Sequence, residues 1–281
     1  MISDNQTTHI MKKIFMFAAA ILGILSLGSC SSSAPKVLVL YYSQSSNTRT
    51  VAEEFASELG ADIEEIVPVN AYDGTYQETI SRGKSEMDAG ILPEINPVKA
   101  DLSSYDVIFL GYPIWFGTYA PPVASFIESA DLSGKKIVPF CTFGSGGLST
   151  SVKDLKAKLP DSEILPGYGV RAARVDAAPK EIDQFLKEGG FIKGEVTPKS
   201  EFGPEHPVTE EESAIFDAAV KDYPMINASA VSVSSRNIPG GVEYFFTAAD
   251  KPREDGPAPG QIKLYVLCEE GQDPVFTQVL R

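Results

Sequence analysis

Histidine and cysteine are almost missing from this chain: 281 residues contain two His and three Cys. His206 stands alone in a Pro-rich segment, and His9 falls in a stretch read below as removed. Zinc sites and Ser-His-Asp or Cys-His machinery therefore have almost nothing to work with. Hydrolase readings fall. Cys141 lies inside an apolar strand pattern and Cys268 near a strand end. A disulfide between them needs an oxidising compartment, and two small buried hydrophobes are the better reading. Trp115 is the single tryptophan. A membrane-length apolar run is lacking too, because Ile14 to Leu27 is 14 residues long, short of the roughly 20 that span a bilayer. Basic residues are scarce: 24 Lys and Arg face 38 Asp and Glu, a net charge of −14. Such an acidic chain repels nucleic acid and anionic head groups, so no nucleic-acid function is expected.

What is present begins at the N-terminus. Met11-Lys12-Lys13 followed by Ile14 to Leu27 has the charged start and apolar run of a signal peptide. The polar Met1 to Ile10 fits poorly before such a signal, so Met11 reads as the start. The run closes on Leu27-Gly28-Ser29-Cys30, which resembles the lipobox of bacterial lipoproteins. That resemblance implies cleavage before Cys30 and acylation of its thiol and new amino group. The expected product is anchored to a membrane of the bacterial cell envelope and faces the periplasm, with residues 30–36 as tether. Loss of 1–29 removes Lys12, Lys13 and Asp4, leaving 252 residues at a net −15 against −14 for the whole chain.

Two blocks follow. From Val37 to about Gly190, apolar strand patterns alternate with helix patterns. The strands are Val37–Tyr41, Ile63–Val69, Val107–Gly111, Ile137–Cys141 and a weak one within Glu163–Val170. The helices are Thr50–Leu59 closed by Gly60, Tyr76–Ala89, Ala120–Ala130 opened by Pro121 and Pro122, Leu148–Leu159 and Lys180–Glu188. Strands that read as unbroken apolar runs are buried on both faces, so the block is an α/β domain with a doubly wound parallel sheet. Residues 191–207 break the pattern with Gly, Pro and charge and read as a linker. Residues 208–281 then give one amphipathic helix from Thr209 to Tyr223 and strands at Ala230–Ser235, Glu243–Ala248, Ile262–Leu267 and Val275–Leu280. That is a small α+β domain, near the low end for an independent core.

Three loops carry the chemistry. After the first strand come Ser43, Gln44, Ser45, Ser46, Asn47 and Thr48, hydroxyl and amide groups leading into a helix N-terminus. Unpaired N–H groups and the helix dipole favour an anion there, although an ordinary capped turn reads the same way. After the third strand comes Gly111-Tyr-Pro-Ile-Trp-Phe-Gly117, and after the fourth Thr142-Phe-Gly-Ser-Gly-Gly147. A Trp in a loop can be a lid on the core, and glycines can be turn formers. In open α/β sheets, however, ligands bind beyond the carboxyl ends of the strands. Together the loops describe a phosphate cradle with an aromatic wall and a glycine loop able to approach a flat ring.

With these residues, 37–190 resemble a flavodoxin, particularly the bacterial branch carrying Gly-Tyr-Pro-Ile-Trp after the third strand. The resemblance implies a flavodoxin-like five-stranded sheet in the order 2-1-3-4-5 and noncovalent FMN. It places the phosphate on Ser43, Gln44, Ser45, Ser46, Asn47 and Thr48. Pro113, Ile114, Trp115 and Phe116 would line one side of the isoalloxazine, with Trp115 as stacking platform. Thr142, Phe143, Gly144, Ser145, Gly146 and Gly147 would line the other. No catalytic side chain and no metal are implied. One departure stands out: the family's phosphate loop usually has Gly where this chain has Ser46. If the backbone there requires a positive φ, Ser is strained and phosphate binding weakens.

In the last block, Ser235-Arg-Asn-Ile-Pro-Gly-Gly-Val-Glu-Tyr-Phe-Phe246 is similar in placement to the first inhibitory hairpin of cystatins, with Asn237 to Gly241 at the turn. Only Gly241 matches the inhibitory motif, and the second hairpin, near Gly271 to Pro274, lacks Trp. The expectation is a cystatin-like docking or dimerisation module rather than a protease inhibitor. Two functions follow for the whole: an FMN-dependent redox lipoprotein passing electrons to a partner protein, or a cofactor-free scaffold on the same fold.

Overall fold

The computed structural model describes residues 35–251 and 260–280. The signal peptide expected at 1–29 and the acylated Cys30 lie outside the described residues.

The first domain contains β1 (Val37–Tyr41), α1 (Asn47–Leu59), β2 (Asp62–Glu65), α2 (Tyr76–Ala89), β3 (Val107–Trp115), β4 (Thr118–Tyr119), α3 (Pro121–Ser129), β5 (Lys136–Phe143), α4 (Leu148–Lys158), β6 (Glu163–Ile164), β7 (Tyr168–Arg171) and α5 (Ala178–Glu188). Strands β2, β1, β3, β5 and the β6/β7 pair lie side by side and run parallel. Successive residues of β1 point to opposite faces. Leu38 and Leu40 join Ile108, Leu110, Val123 and Phe126 on one side, and Val39 and Tyr41 join Phe55, Phe109, Ile182 and Leu186 on the other. Both faces are therefore covered, as the unbroken apolar runs predict. Helix α1 is held by Phe55, whose buried ring lies 4.9 Å from Phe140 and 5.2 Å from Phe109. The helix stops at Gly60, which takes φ 57° and returns its N–H to Ala56 and Ser57.

The fifth strand differs from expectation because it is in two pieces. The carbonyl of Ile137 accepts from Leu165 N at 2.9 Å, so Pro139, two residues on, faces the same neighbour with no N–H to offer. The ladder breaks there. Pairing resumes one residue out of step, with Ile137 opposite Ile164 but Phe140 opposite Tyr168. Strand β3 is longer than its apolar core suggested. It stays paired with β5 through Pro113 opposite Thr142, then folds back on β4 across Phe116 (φ 50°) and Gly117 (φ 93°). Strand β2 is shorter than Ile63–Val69, and Pro68 forms an isolated bridge to Ile95 instead.

The C-terminal domain is an antiparallel sheet of β8 (His206–Pro207), β9 (Ala228–Ile238), β10 (Gly241–Asp250), β11 (Gln261–Glu269) and β12 (Val275–Leu280), with α6 (Glu210–Val220) between β8 and β9. Thr209 and Glu212 form a reciprocal capping box that starts α6. Phe216 of α6 is fully buried, 5.4 Å from Phe246 of β10. Residues 191–207, expected as a linker, are tied down at both ends. Phe191 packs 5.1 Å from Phe109, and Phe202 lies 6.0 Å from Phe245 under the Arg236 guanidinium. No described helix is long and apolar enough to cross a membrane.

Candidate functional site

The first loop leaves β1 at Tyr42 and enters α1 at Asn47. Its N-cap, Ser46, sits in the left-handed region at φ 66° and makes no side-chain cap. The departure from Gly noted in the sequence thus falls where the backbone is left-handed, a conformation that costs an L-residue roughly 1–2 kcal/mol. Its carbonyl accepts from Thr50 N at 2.9 Å, while Ser43 Oγ accepts from Arg49 N at 3.2 Å. The side chains of Gln44, Ser45 and Ser46 are exposed and that of Thr48 is buried. The Arg49 guanidinium is turned away to Glu65 at 2.8 Å, so the loop presents N–H dipoles rather than cations.

The second loop is held by aromatic packing. Trp115 meets Tyr42 edge-on at 6.1 Å and Tyr72 at 5.0 Å. A Cβ on Gly83 would come within 3.0 Å of its ring, so that glycine lets α2 lie against the indole. Tyr42 donates to Gln44 Oε1 at 2.7 Å, Gln44 Nε2 to the Tyr72 carbonyl, and Tyr72 to Glu86. Burial pushes both phenols well above their ordinary pKa, so they are neutral donors. Trp115 is half-buried in this cluster, and the more exposed ring at the tip is Phe116, 48% exposed with the Lys84 ammonium 5.9 Å from its centroid. Pro113 and Ile114 are half-buried beside it.

The third loop touches both others. Thr142 and Thr48 share a hydrogen bond of 2.8 Å between buried hydroxyls. At Gly147 (φ 124°) an added Cβ would lie 2.5 Å from Ile114, so the glycine admits the second loop's side chain. Phe143 turns into the core, while Gly144, Ser145 and Gly146 lie at or near the surface. The sequence-predicted residues of all three loops therefore converge at one edge of the sheet. Cys141 and Cys268 are both free thiols, and burial pushes that of Cys141 far up, leaving it inert.

The C-terminal domain reaches this edge, a placement more specific than the docking expected of it. Val279 N donates to the Ser145 carbonyl at 2.6 Å, and a Cβ on Gly146 would lie 2.4 Å from the Val279 carbonyl. Arg171, the last residue of β7, donates Nε to the Gly144 carbonyl and Nη1 to the Phe276 carbonyl, each at 3.0 Å. Its guanidinium stacks 3.4 Å from the Phe276 ring centroid, and burial lowers its pKa. The available signal was its position, since a residue at the carboxyl end of a parallel strand faces the ligand edge.

A flavodoxin family model matches residues 36–185. The chain belongs to the flavodoxin family. Among solved structures, a protein of Bacteroides eggerthii assigned as a flavoprotein is 31% identical, over 53% of this chain and 98% of its own, with a TM-score of 0.46. Another so assigned, from Bacteroides uniformis, is 28% identical over 54% and 99%, with a TM-score of 0.48. A flavoprotein of Lactobacillus acidophilus, solved in complex with FMN, is 25% identical over 51% and 97%, with a TM-score of 0.44. No curated protein matches the chain. For this flavodoxin, the matched span ends before the linker and the C-terminal sheet.

Proposed function

We propose that this flavodoxin holds FMN across its three loops and serves as an electron carrier or oxidoreductase. The observation that carries the reading is the joining of the loops, by Thr48 to Thr142 and by Ile114 against Gly147. The residues suit the group. The N-cap Ser46 makes no side-chain cap, and the N–H groups of Ser45 to Thr48 have no partner among the described residues. They would take the phosphate without a countercharge. Phe116 and the half-buried Trp115 offer apolar surface on one side, and the backbone of Gly144 to Gly147 offers polar groups on the other. FMN when bound supplies reversible electron transfer; the protein's part is to hold the ring, limit water and set the surrounding dipoles. Titrating the full mature chain with FMN should give saturable binding and a perturbed visible spectrum. An unchanged free-FMN spectrum and no retention on dialysis would overturn the reading.

Ser46 favours a second reading, a cofactor-free binding or scaffolding protein. Its φ of 66° taxes the loop that would hold the phosphate. Ser46→Gly decides between them: affinity appearing only in the variant supports the scaffold, whereas tight binding in both supports the redox protein.

We also propose that acylated Cys30 anchors the protein in the bacterial cell envelope, facing the periplasm, with the C-terminal module as a cystatin-like interaction part. Cys30→Ser should leave the protein unlipidated by mass spectrometry and release it from membranes. Retention of the variant in the membrane fraction would count against the anchor.

A further inference from the structure

We propose that the C-terminal domain is a working part of the flavin site: Arg171 and strand β12 clamp the Gly144–Gly147 loop in its binding conformation. This rests on the FMN reading above.

Arg171 is the only described side chain that bonds to both the loop and β12. One edge of its guanidinium fixes the Gly144 carbonyl, and another nitrogen fixes the Phe276 carbonyl. The plane of the group lies on the Phe276 ring, with Tyr223 of the second domain 5.5 Å away. A planar fork does this better than an ammonium would, because it can bond at its edges and stack on its face at once. Three residues further along β12, Val279 adds the bond to Ser145. Strand β12 is the edge of its sheet, so the N–H of Val279 is free to leave the ladder and serve the loop.

The contact leaves no slack. Gly146 lies so close to the Val279 carbonyl that no side chain fits between them. A Gly-rich loop with backbone carbonyls as its main polar groups has many conformations when free. Here two of its consecutive carbonyls, Gly144 and Ser145, are held by groups belonging to, or bridging to, a domain outside the matched flavodoxin span. A loop fixed in advance loses less entropy when the ring arrives, so the clamp raises affinity. Arg171 is thus a positioning residue, acting through the loop rather than on the ring. It also brings a positive charge to the loop, which favours added electron density nearby.

The test uses the full mature chain as wild type, Arg171→Ala, Arg171→Lys and Val279→Pro. The last variant removes the N–H that serves Ser145, at an edge position where Pro is tolerated, and with it the buried Val279 side chain, so Val279→Ala is the control that loses the side chain and keeps the N–H. Arg171→Ala should weaken FMN binding on the order of tenfold, as expected for loss of a charged hydrogen bond, and move the flavin midpoint potential to lower values. Arg171→Lys should recover part of the affinity, Val279→Pro should weaken it, and the double variant should fall short of the summed effects. Wild-type affinity and potential in a folded Arg171→Ala would overturn the inference. If wild type binds no FMN, the flavin reading itself fails. Amide hydrogen exchange at Ser145–Gly147 then judges the clamp alone: protection lost in Arg171→Ala upholds it, and equal exchange in both overturns it.

Discussion

Thr48 and Thr142 meet at 2.8 Å through side-chain oxygens that are almost fully buried, at 1% and 4% exposure. One stands in the first turn of α1 and the other near the end of β5. Each hydroxyl satisfies the other, so neither loop can shift without stranding a polar group away from water.

Replacing one partner should therefore cost more than replacing both. Thr48→Val leaves Thr142 unpaired and is expected to destabilise the fold by about 1–3 kcal/mol, whereas the double Thr48→Val and Thr142→Val variant should recover much of that loss. Urea denaturation of the four proteins in the cycle checks it. Additive losses would show that the pair does not act as a unit.

At Ser46 the substitution should stabilise. Moving from Ser to Gly relieves a left-handed backbone cost of roughly 1–2 kcal/mol, while the freer unfolded chain takes back about 0.4–1 kcal/mol. A net gain of about 0–1.6 kcal/mol is expected in unfolding free energy, seen as a higher denaturation midpoint measured without any ligand.

Gly111 is a glycine for want of space. An added Cβ would lie 2.1 Å from Cζ of the fully buried Phe140 ring, which is itself packed against Phe55. Gly111→Ala should cost about 1–3 kcal/mol through overpacking. Combining it with Phe140→Leu should cost less than the two substitutions added together, which thermal unfolding of all variants would reveal.

The protein should weaken in alkali. Tyr105 donates to Asp62 at 2.7 Å, which pushes its pKa from 10.0 up to about 12. Burial does the same for Tyr119, also to about 12. A phenol that keeps its proton longer when folded favours the folded state until that proton leaves. The contribution is intact below about pH 10 and drains away as the pH climbs to about 12. Urea midpoints measured across that window should fall, and Tyr105→Phe should make the fall shallower.

Local signals made the first domain legible. Buried parallel strands read as apolar runs, and Gly60 and Gly90 end helices in the left-handed region; in the second domain Thr209 with Glu212 announces α6. All three loops were visible because each follows a strand directly. What escaped depends on residues far apart in the chain. The break opposite Pro139 is decided by which neighbour that residue faces, and the strap at Phe202 by a surface 43 positions later at Phe245. The indole of Trp115 is committed sideways to Tyr42, Tyr72 and Gly83, none of which its own motif names. The small size of the second domain pointed to docking, but the bond between Ser145 and Val279, which sets where it docks, joins residues 134 positions apart.

That placement of Trp115 gives the protein a built-in optical reporter. The chain has one indole, and it sits in the second loop beside the start of the first, wedged against two tyrosines. Its emission therefore arises from the site, with no competing indole in the C-terminal domain. A ring bound beside it would quench that light, and a loosened α2 would redden it, so the two events can be followed separately in the unlabelled protein.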